Sequence, residues 1–194
     1  MDLTWTPANA IAYAVHDGQV SARDVVAGAL ARIAAQNGTL NAFTAVTEER
    51  ALARAAAIDG ARKNGERMGP LAGVPFAVKN LFDVAGITTL AGSKVERGKP
   101  AATVDGPLVA RLQAAGAVLV GALNMDEYAY GFTTENSHEG PCHNPHDTTR
   151  MTGGSSSGSA GAVSGGLVPL SLGSDTNGSI RVPSSLCEIG RAHV

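Results

Sequence analysis

Three places in the sequence carry side chains that could do covalent chemistry together. Gly153–Ser159 reads GGSSSGS, residues 173–179 read GSDTNGS, and Lys79 ends the apolar run VPFAV. A serine hydroxyl is a weak nucleophile and needs a base to take its proton. A lysine serves as that base only when uncharged, which for a side chain of ordinary pKa about 10.4 requires burial. Glycines at 173 and 178 let the chain turn tightly and aim backbone N–H groups inward, as an oxyanion hole requires.

Four readings compete for the stretch 153–181. A flexible Gly/Ser linker suits residues 153–159 alone, but a helix-like segment, a buried strand and a compact loop follow without a charged spacer. A nucleophile elbow is matched by Gly154-Ser155-Ser156-Ser157-Gly158 with Ser156 central, yet that motif needs a buried strand before it. The preceding NPHDTTRMTG is polar and contains proline. A phosphate-binding loop would need G-x-x-x-x-G-K-[ST], or G-x-G-x-x-G after a strand, and neither is present. The fourth reading joins Lys79, Ser155 and Ser179 at strand ends and tight loops, where α/β proteins place ligands.

The elements that must position these residues follow from pattern. Thr6-Pro7 reads as an N-cap followed by proline at the first helical position. Ser21 with Asp24 resembles a capping box opening SARDVVAGALARIAAQ, with Asn37-Gly38 closing that helix. LNAFTAV (40–46) is a short strand. Residues 47 to about 61 form a helix with Glu48 and Glu49 in its first turn. Residues 69–73 turn into the buried strand 74–78. Asp105 caps GPLVARLQAA, Gly116 ends it, and AVLVGAL (117–123) is a second buried strand. SAGAVSGGL is a small-residue helix and VPLSL (168–172) a third strand. Strands alternating with helices imply an α/β domain with a parallel or mixed sheet.

Composition bounds the function class. The 194 residues suffice for one domain, the net charge of −2 offers no basic face for nucleic acid, and 44% hydrophobic content argues against disorder. Two cysteines, Cys142 and Cys187, are too few for a disulfide framework. With no basic signal-like start and no uncharged run of membrane-spanning length, a cytoplasmic location is the expectation. Cys142, His143 and His146 in PCHNPHD lack a second ligand pair at metal spacing, so no metal site is expected. The last seven residues, EIGRAHV (188–194), read as translated sequencing-adapter DNA. On that reading residues 1–187 are the N-terminal part of a single domain and the tail is non-native.

The combination GVPFAVKN, GGSSSGSAGAV and GSDTNGSIRVPSSLC resembles the amidase signature family over nearly all of residues 1–187. The resemblance implies an amidase-signature α/β fold, a mixed sheet covered by helices, of which this chain holds the N-terminal portion. It implies a Ser-Ser-Lys triad: Ser179 as nucleophile, Ser155 as bridging serine after a cis peptide bond, and Lys79 as base. The oxyanion would be held by N–H groups of Thr176, Asn177, Gly178 and Ser179, with no cofactor. Asp83, close in sequence, could oppose neutralisation of Lys79. Arg181 is expected to brace the loop through Asp175 rather than bind a substrate carboxylate, and Ser156, Ser157, Ser159 and Ser174 to be loop hydrogen-bonders.

NMDEYAYG (124–131), TENSHEG (134–140) and DTNGSIRVP resemble the AtzE-like branch, which takes its name from a component of 1-carboxybiuret hydrolase. The glutaminase component of glutamyl-tRNA(Gln) amidotransferase is the neighbouring branch. Those first two loops would build the pocket, although Tyr128 or Tyr130 could equally be core. The sequence departs from the usual pattern at Asn177-Gly178, where the transamidation branch has Gly-Gly, and at Ser157, where glycine is usual. The resemblance implies cleavage of a small amide or ureido C–N bond through an acyl-enzyme. It also implies a small GatC-like (AtzG-type) partner protein, and no direct contact with nucleic acid or membrane. Glutamine hydrolysis for transamidation is the enzymatic alternative, and an inactive fragment the non-enzymatic one.

Overall fold

Helix α1 (Ala8–His16) precedes α2 (Ala22–Leu40), strand β1 (Phe43–Val46) and α3 (Glu48–Lys63) in a computed structural model that describes residues 3–190. Strand β2 (Pro75–Lys79), α4 (Pro107–Ala114) and β3 (Val118–Leu123) follow. The chain then forms a hairpin of β4 (His143–Asn144) and β5 (Asp147–Met151), helix α5 (Ser157–Ser164), β6 (Leu170–Leu172) and α6 (Arg181–Leu186). The reading of 188–194 as a non-native tail falls in part on 191–194, outside the described residues.

The main sheet runs β1-β3-β2-β6, with β2 parallel to both β3 and β6 and β1 antiparallel to β3. It is therefore mixed. Every residue of β2 and β3 is buried, as expected for strands covered on both faces. Side chains alternate between two cores. Ala77, Val118 and Val120 join Ile11, Val26, Ile33 and Phe43 on one face. Phe76, Val78 and Leu119 pack with Val84 and Val109 on the other. Among the described residues no helix is long and apolar enough to cross a membrane.

Local signals set some boundaries and tertiary contacts set others. Ser21 Oγ accepts from Asp24 N at 2.9 Å, so the expected cap of α2 is made. A second cap comes from far away: Asp59 on α3 accepts from Ala22 N at 2.8 Å and Arg23 N at 3.0 Å. The helix does not close at Asn37-Gly38 but runs to Leu40, where Asn41 takes the left-handed conformation (φ 51°, ψ 40°). Asn37 instead pairs its amide with the backbone of Phe43, at 3.0 and 2.7 Å, and seats the start of β1.

Pro7 rather than Thr6 occupies the N-cap position of α1. Asp105 does not cap α4, whose N-cap is Gly106. Its carboxylate accepts from Ala85 N at 2.9 Å and from Gln113 Nε2 at 2.6 Å, and pairs with Arg50. The hairpin 143–151 lies where the pattern indicates only loop, and α6 where it indicates no element, because neither stretch has a regular apolar period.

Asp59→Ala removes the paired cap of α2. We expect a loss of about 1–2 kcal/mol, seen as a fall in Tm of roughly 3–6 °C in thermal denaturation. An unchanged Tm would show that Ser21 alone secures that helix start.

Candidate active site

The parallel strands β2, β3 and β6 end on one side of the sheet, and their following loops meet there. Lys79 is the last residue of β2, paired with Leu123 in β3 and fully buried. The strand's alternation and its apolar flanks carry an amine where water does not reach. Its Nζ donates to Ser155 Oγ at 2.6 Å and to Ser174 Oγ at 2.9 Å.

Ser155 follows a cis peptide bond from Gly154, as the resemblance implies. Its segment is tied down on all sides. Gly154 N donates to Phe132 O at 2.7 Å, Asp126 N to Ser155 O at 3.2 Å, and Ser156 N to Ser179 O at 3.1 Å. A side chain on Gly154 would collide with Asp126, since a Cβ there would lie 2.0 Å from Oδ2.

The neighbouring serines are loop hydrogen-bonders, as expected. Ser156 Oγ donates to Ser174 O at 3.1 Å and accepts from Ser174 N at 3.2 Å, joining the two serine loops. Ser159 Oγ donates to Leu172 O at 2.9 Å. Ser157, where the resemblance implies glycine, is accommodated by donating to Asn124 O at 3.2 Å. Ser174 is more than a loop residue, because its hydroxyl is the second partner of the Lys79 amine. Its place one residue after Gly173, at the end of β6, is the only sequence signal for that.

Ser179 is buried and its side chain makes no hydrogen bond to the described residues. The structure brings it beside Ser155 through the backbone bond to Ser156, but no Ser155–Ser179 hydroxyl hydrogen bond is formed. Asp175 shapes its loop. The carboxylate accepts from Gly178 N at 2.7 Å, Ile180 N at 3.0 Å and Arg181 N at 3.0 Å, and forms a two-pronged pair with the Arg181 guanidinium at 2.9 and 3.0 Å. Arg181 therefore braces the loop, as the sequence suggests.

Gly178 has φ +132°, a conformation that suits glycine. Its N–H donates to Asp175 in this conformation. The N–H groups of Thr176, Asn177 and Ser179 make no hydrogen bond to the described residues.

Electrostatics follow from burial. Desolvation brings the Lys79 pKa down to about 8, against opposing pulls from Asp126 and then Asp175. Asp83, whose closeness in sequence left open whether it opposes neutralisation of Lys79, accepts from Thr89 Oγ1 at 2.5 Å, and the charges acting on Lys79 are those of Asp126 and Asp175. Burial raises the Asp126 carboxyl above its ordinary value. The Arg181 hydrogen bonds hold Asp175 well below the usual carboxylate range.

The aromatic loop differs from one alternative reading: Tyr130 is 95% exposed and Tyr128 more than half exposed, so neither is core. Tyr128 donates to Glu96 Oε1 at 2.9 Å. Of TENSHEG, Asn136 is the buried brace, donating to Gly92 O at 2.7 Å and Met125 O at 3.0 Å. Cys142 is buried. The Nδ1 of His143 contacts Thr148 O at 2.9 Å, and His146 contacts Ser164 Oγ at 3.0 Å and Cys187 O at 3.1 Å.

A lysine lowered in the fold makes stability depend on pH. Between pH 8 and 10.5 the unfolded chain binds the lysine proton that the folded chain has released, so the Lys79 contribution to stability rises with pH across that window, while the buried thiols of Cys142 and Cys187, pushed up to about 11 and about 12, contribute a loss above pH 9. Below pH 8 the burial penalty of about 3 kcal/mol is present in full. We expect chemical denaturation to show the lysine contribution as the difference between the parent and Lys79→Met: the variant is the more stable at pH 7, and its advantage shrinks between pH 8 and 10.5. A difference between the two proteins that stays constant from pH 8 to 10.5 would contradict the buried amine.

Comparison with known proteins shows what the chain is similar to. The Amidase family matches residues 24–190. The chain is 64% identical over 175 residues to AtzE of Pseudomonas sp. (strain ADP), a component of 1-carboxybiuret hydrolase, covering 90% of this chain and 38% of that protein. It is 50% identical over 170 residues to the A component of glutamyl-tRNA(Gln) amidotransferase from Anaeromyxobacter sp. (strain K), covering 88% of this chain and 34% of that one. A solved structure of an inhibitor-bound vestigial protein complex, described as revealing the evolutionary origins of an s-triazine catabolic enzyme, superposes with a TM-score of 0.93. It is 62% identical, covering 94% of this chain and 40% of its own. The chain thus spans well under half the length of the relatives it matches.

Proposed function

The chain belongs to the amidase signature family, and on that premise we propose that it hydrolyses a small-molecule amide or ureido C–N bond through Ser179. The observation that carries the reading is the buried Lys79 amine, lowered to about pH 8 and hydrogen-bonded at 2.6 Å to the hydroxyl of Ser155. We read residues 1–187 as part of a single amidase domain acting in the cytoplasm, without direct contact with nucleic acid or membrane.

In the proposed reaction neutral Lys79 takes the proton of Ser155 Oγ, and Ser155 takes that of Ser179 Oγ. The Ser179 oxygen bonds to the substrate carbonyl carbon, and the negative charge on the carbonyl oxygen is met by the free N–H groups of Thr176, Asn177 and Ser179. The C–N bond breaks as the proton held by Lys79 returns through Ser155 to the leaving nitrogen. Water then hydrolyses the acyl-enzyme by the same relay. Rotation of the Ser179 side chain, which has no hydrogen bond to the described residues to give up, completes the Ser155–Ser179 contact. Catalytic hydrogen bonds often tighten only once substrate is bound. The scheme draws on side chains and backbone alone.

The 64% identity to AtzE favours a ureido substrate of the 1-carboxybiuret type, with a small GatC-like (AtzG-type) protein as partner. The 50% identity to an amidotransferase component supports glutamine as the second reading. Hydrolysis assays with 1-carboxybiuret and with glutamine, each with and without such a partner, separate the two.

A fluorophosphonate probe followed by tandem mass spectrometry tests the nucleophile without presuming a substrate. We expect labelling at Ser179 and none in Ser179→Ala. Lys79→Ala and Ser155→Ala should slow labelling by about 100-fold or more. Labelling should rise about tenfold per pH unit below 8 and level off above it, following the neutral amine. Labelling at another serine, or a rate indifferent to Lys79, would overturn the assignment.

A further inference from the structure

Asp126, in the loop after β3, is the charged residue built most deeply into the site that the proposed reaction leaves without a task. It is 7% exposed. Its Oδ1 accepts from Thr134 N at 2.8 Å and its Oδ2 from Thr134 Oγ1 at 3.1 Å. The same oxygen faces Gly154 across a gap that admits no side chain. Its backbone N–H donates to Ser155 O at 3.2 Å. Two residues earlier, Asn124 O accepts from Gly158 N at 3.0 Å and Ser157 Oγ at 3.2 Å. Residues 124–126 thus grip the segment 155–158 at three points, with the carboxylate pressed against residue 154.

We propose that Asp126 is a positioning residue of this site, whose Thr134-clamped carboxylate holds the Ser155 segment against Lys79 and sets one stationary negative charge near the amine. The inference deepens the reading of Lys79 as base and rests on it. The charged groups acting on Lys79 are Asp126 from the loop after β3 and Asp175 from the loop after β6, and Glu135 acts on Asp126 in turn. Asp175 is already paired with Arg181. Asp126 makes no ion pair among the described residues and leaves the amine free to bond its two hydroxyls. A carboxylate in contact with Lys79 would hold it charged and pull it from Ser155. At a distance, held by Thr134, it raises the proton affinity of the amine without capturing it.

Asp126→Asn tests this because an amide keeps both Thr134 contacts in shape: its oxygen can accept from Thr134 N and its NH2 can donate to Thr134 Oγ1. The readout is the ionisation of Lys79, followed by NMR of isotope-labelled lysine side chains across pH. The chain has four lysines, at 63, 79, 94 and 99, and Lys79→Met identifies the signal. Removing the negative charge should lower the Lys79 midpoint by about half a unit or more. The pH profile of fluorophosphonate labelling should shift the same way, which at about pH 6.5 is roughly a threefold gain relative to the plateau.

A midpoint unmoved in a variant that melts cooperatively would overturn the proposal and leave Asp126 a structural tether. If Asp126→Asn does not melt cooperatively, Thr134→Val takes its place, keeping the charge and removing the hydroxyl clamp. The plateau labelling rate should then fall several-fold with the Lys79 midpoint retained, and an unchanged plateau would overturn the proposal. The two readings fail separately: a parent unlabelled at Ser179 defeats the hydrolase assignment, whereas the lysine titration reports on Asp126 either way.

Discussion

The site turns on one constraint: an amine must sit where water cannot hydrate its charge, yet still find hydrogen-bond acceptors. Lys79 meets it at the end of a strand buried on both faces. Two hydroxyls, Ser155 and Ser174, accept from it without adding charge. A carboxylate in either place would stabilise the ammonium and abolish its use as a base. An apolar contact would leave the amine unsatisfied, with a desolvation penalty of several kcal/mol. Hydroxyls are the middle course, and they are also able to pass a proton onward.

Much of the remaining architecture holds those hydroxyls still. Ser156 links the Ser155 loop to the Ser174 loop through both its backbone and its side chain, so neither moves without the other. Asp175 and Arg181 fold the Ser179 loop around a carboxylate, taking Gly178 N–H and leaving those of Thr176, Asn177 and Ser179 without a partner among the described residues. The small residues of α5 serve the same end by letting the helix lie close to the sheet; Gly158, for instance, has Ala42 O and Asn124 N where a Cβ would sit. Glycine and serine are abundant in this stretch because the backbone is crowded, which is the reverse of what a linker needs.

How far the sequence discloses this depends on the range of the interactions. The strand carrying Lys79 is legible as a continuous apolar run, and the Ser21 cap as a short local motif. The end of α2 is not legible at Asn37-Gly38, because Asn37 is engaged by Phe43 and the left-handed turn falls on Asn41. Asp105 looks like a cap but answers to Arg50, 55 positions away. Ser155 and Ser179 stand out through a resemblance between motifs, whereas Ser174 and Asp126 acquire their meaning only when three strand ends are brought together. Asp83 is near Lys79 in sequence and is the natural suspect for its opposing charge; the topology substitutes Asp126 and Asp175.

The central claim is that Ser155 carries a proton between Lys79 and Ser179, and the contact still unmade is the one between the two serines. A crystal structure of the Ser179 phosphonate adduct tests it most directly. The account predicts Ser155 Oγ within roughly 3 Å of both Lys79 Nζ and the adduct oxygen of Ser179. An adduct in which Ser155 stays bonded to Lys79 alone, with no hydrogen bond or single bridging water to Ser179, would contradict it.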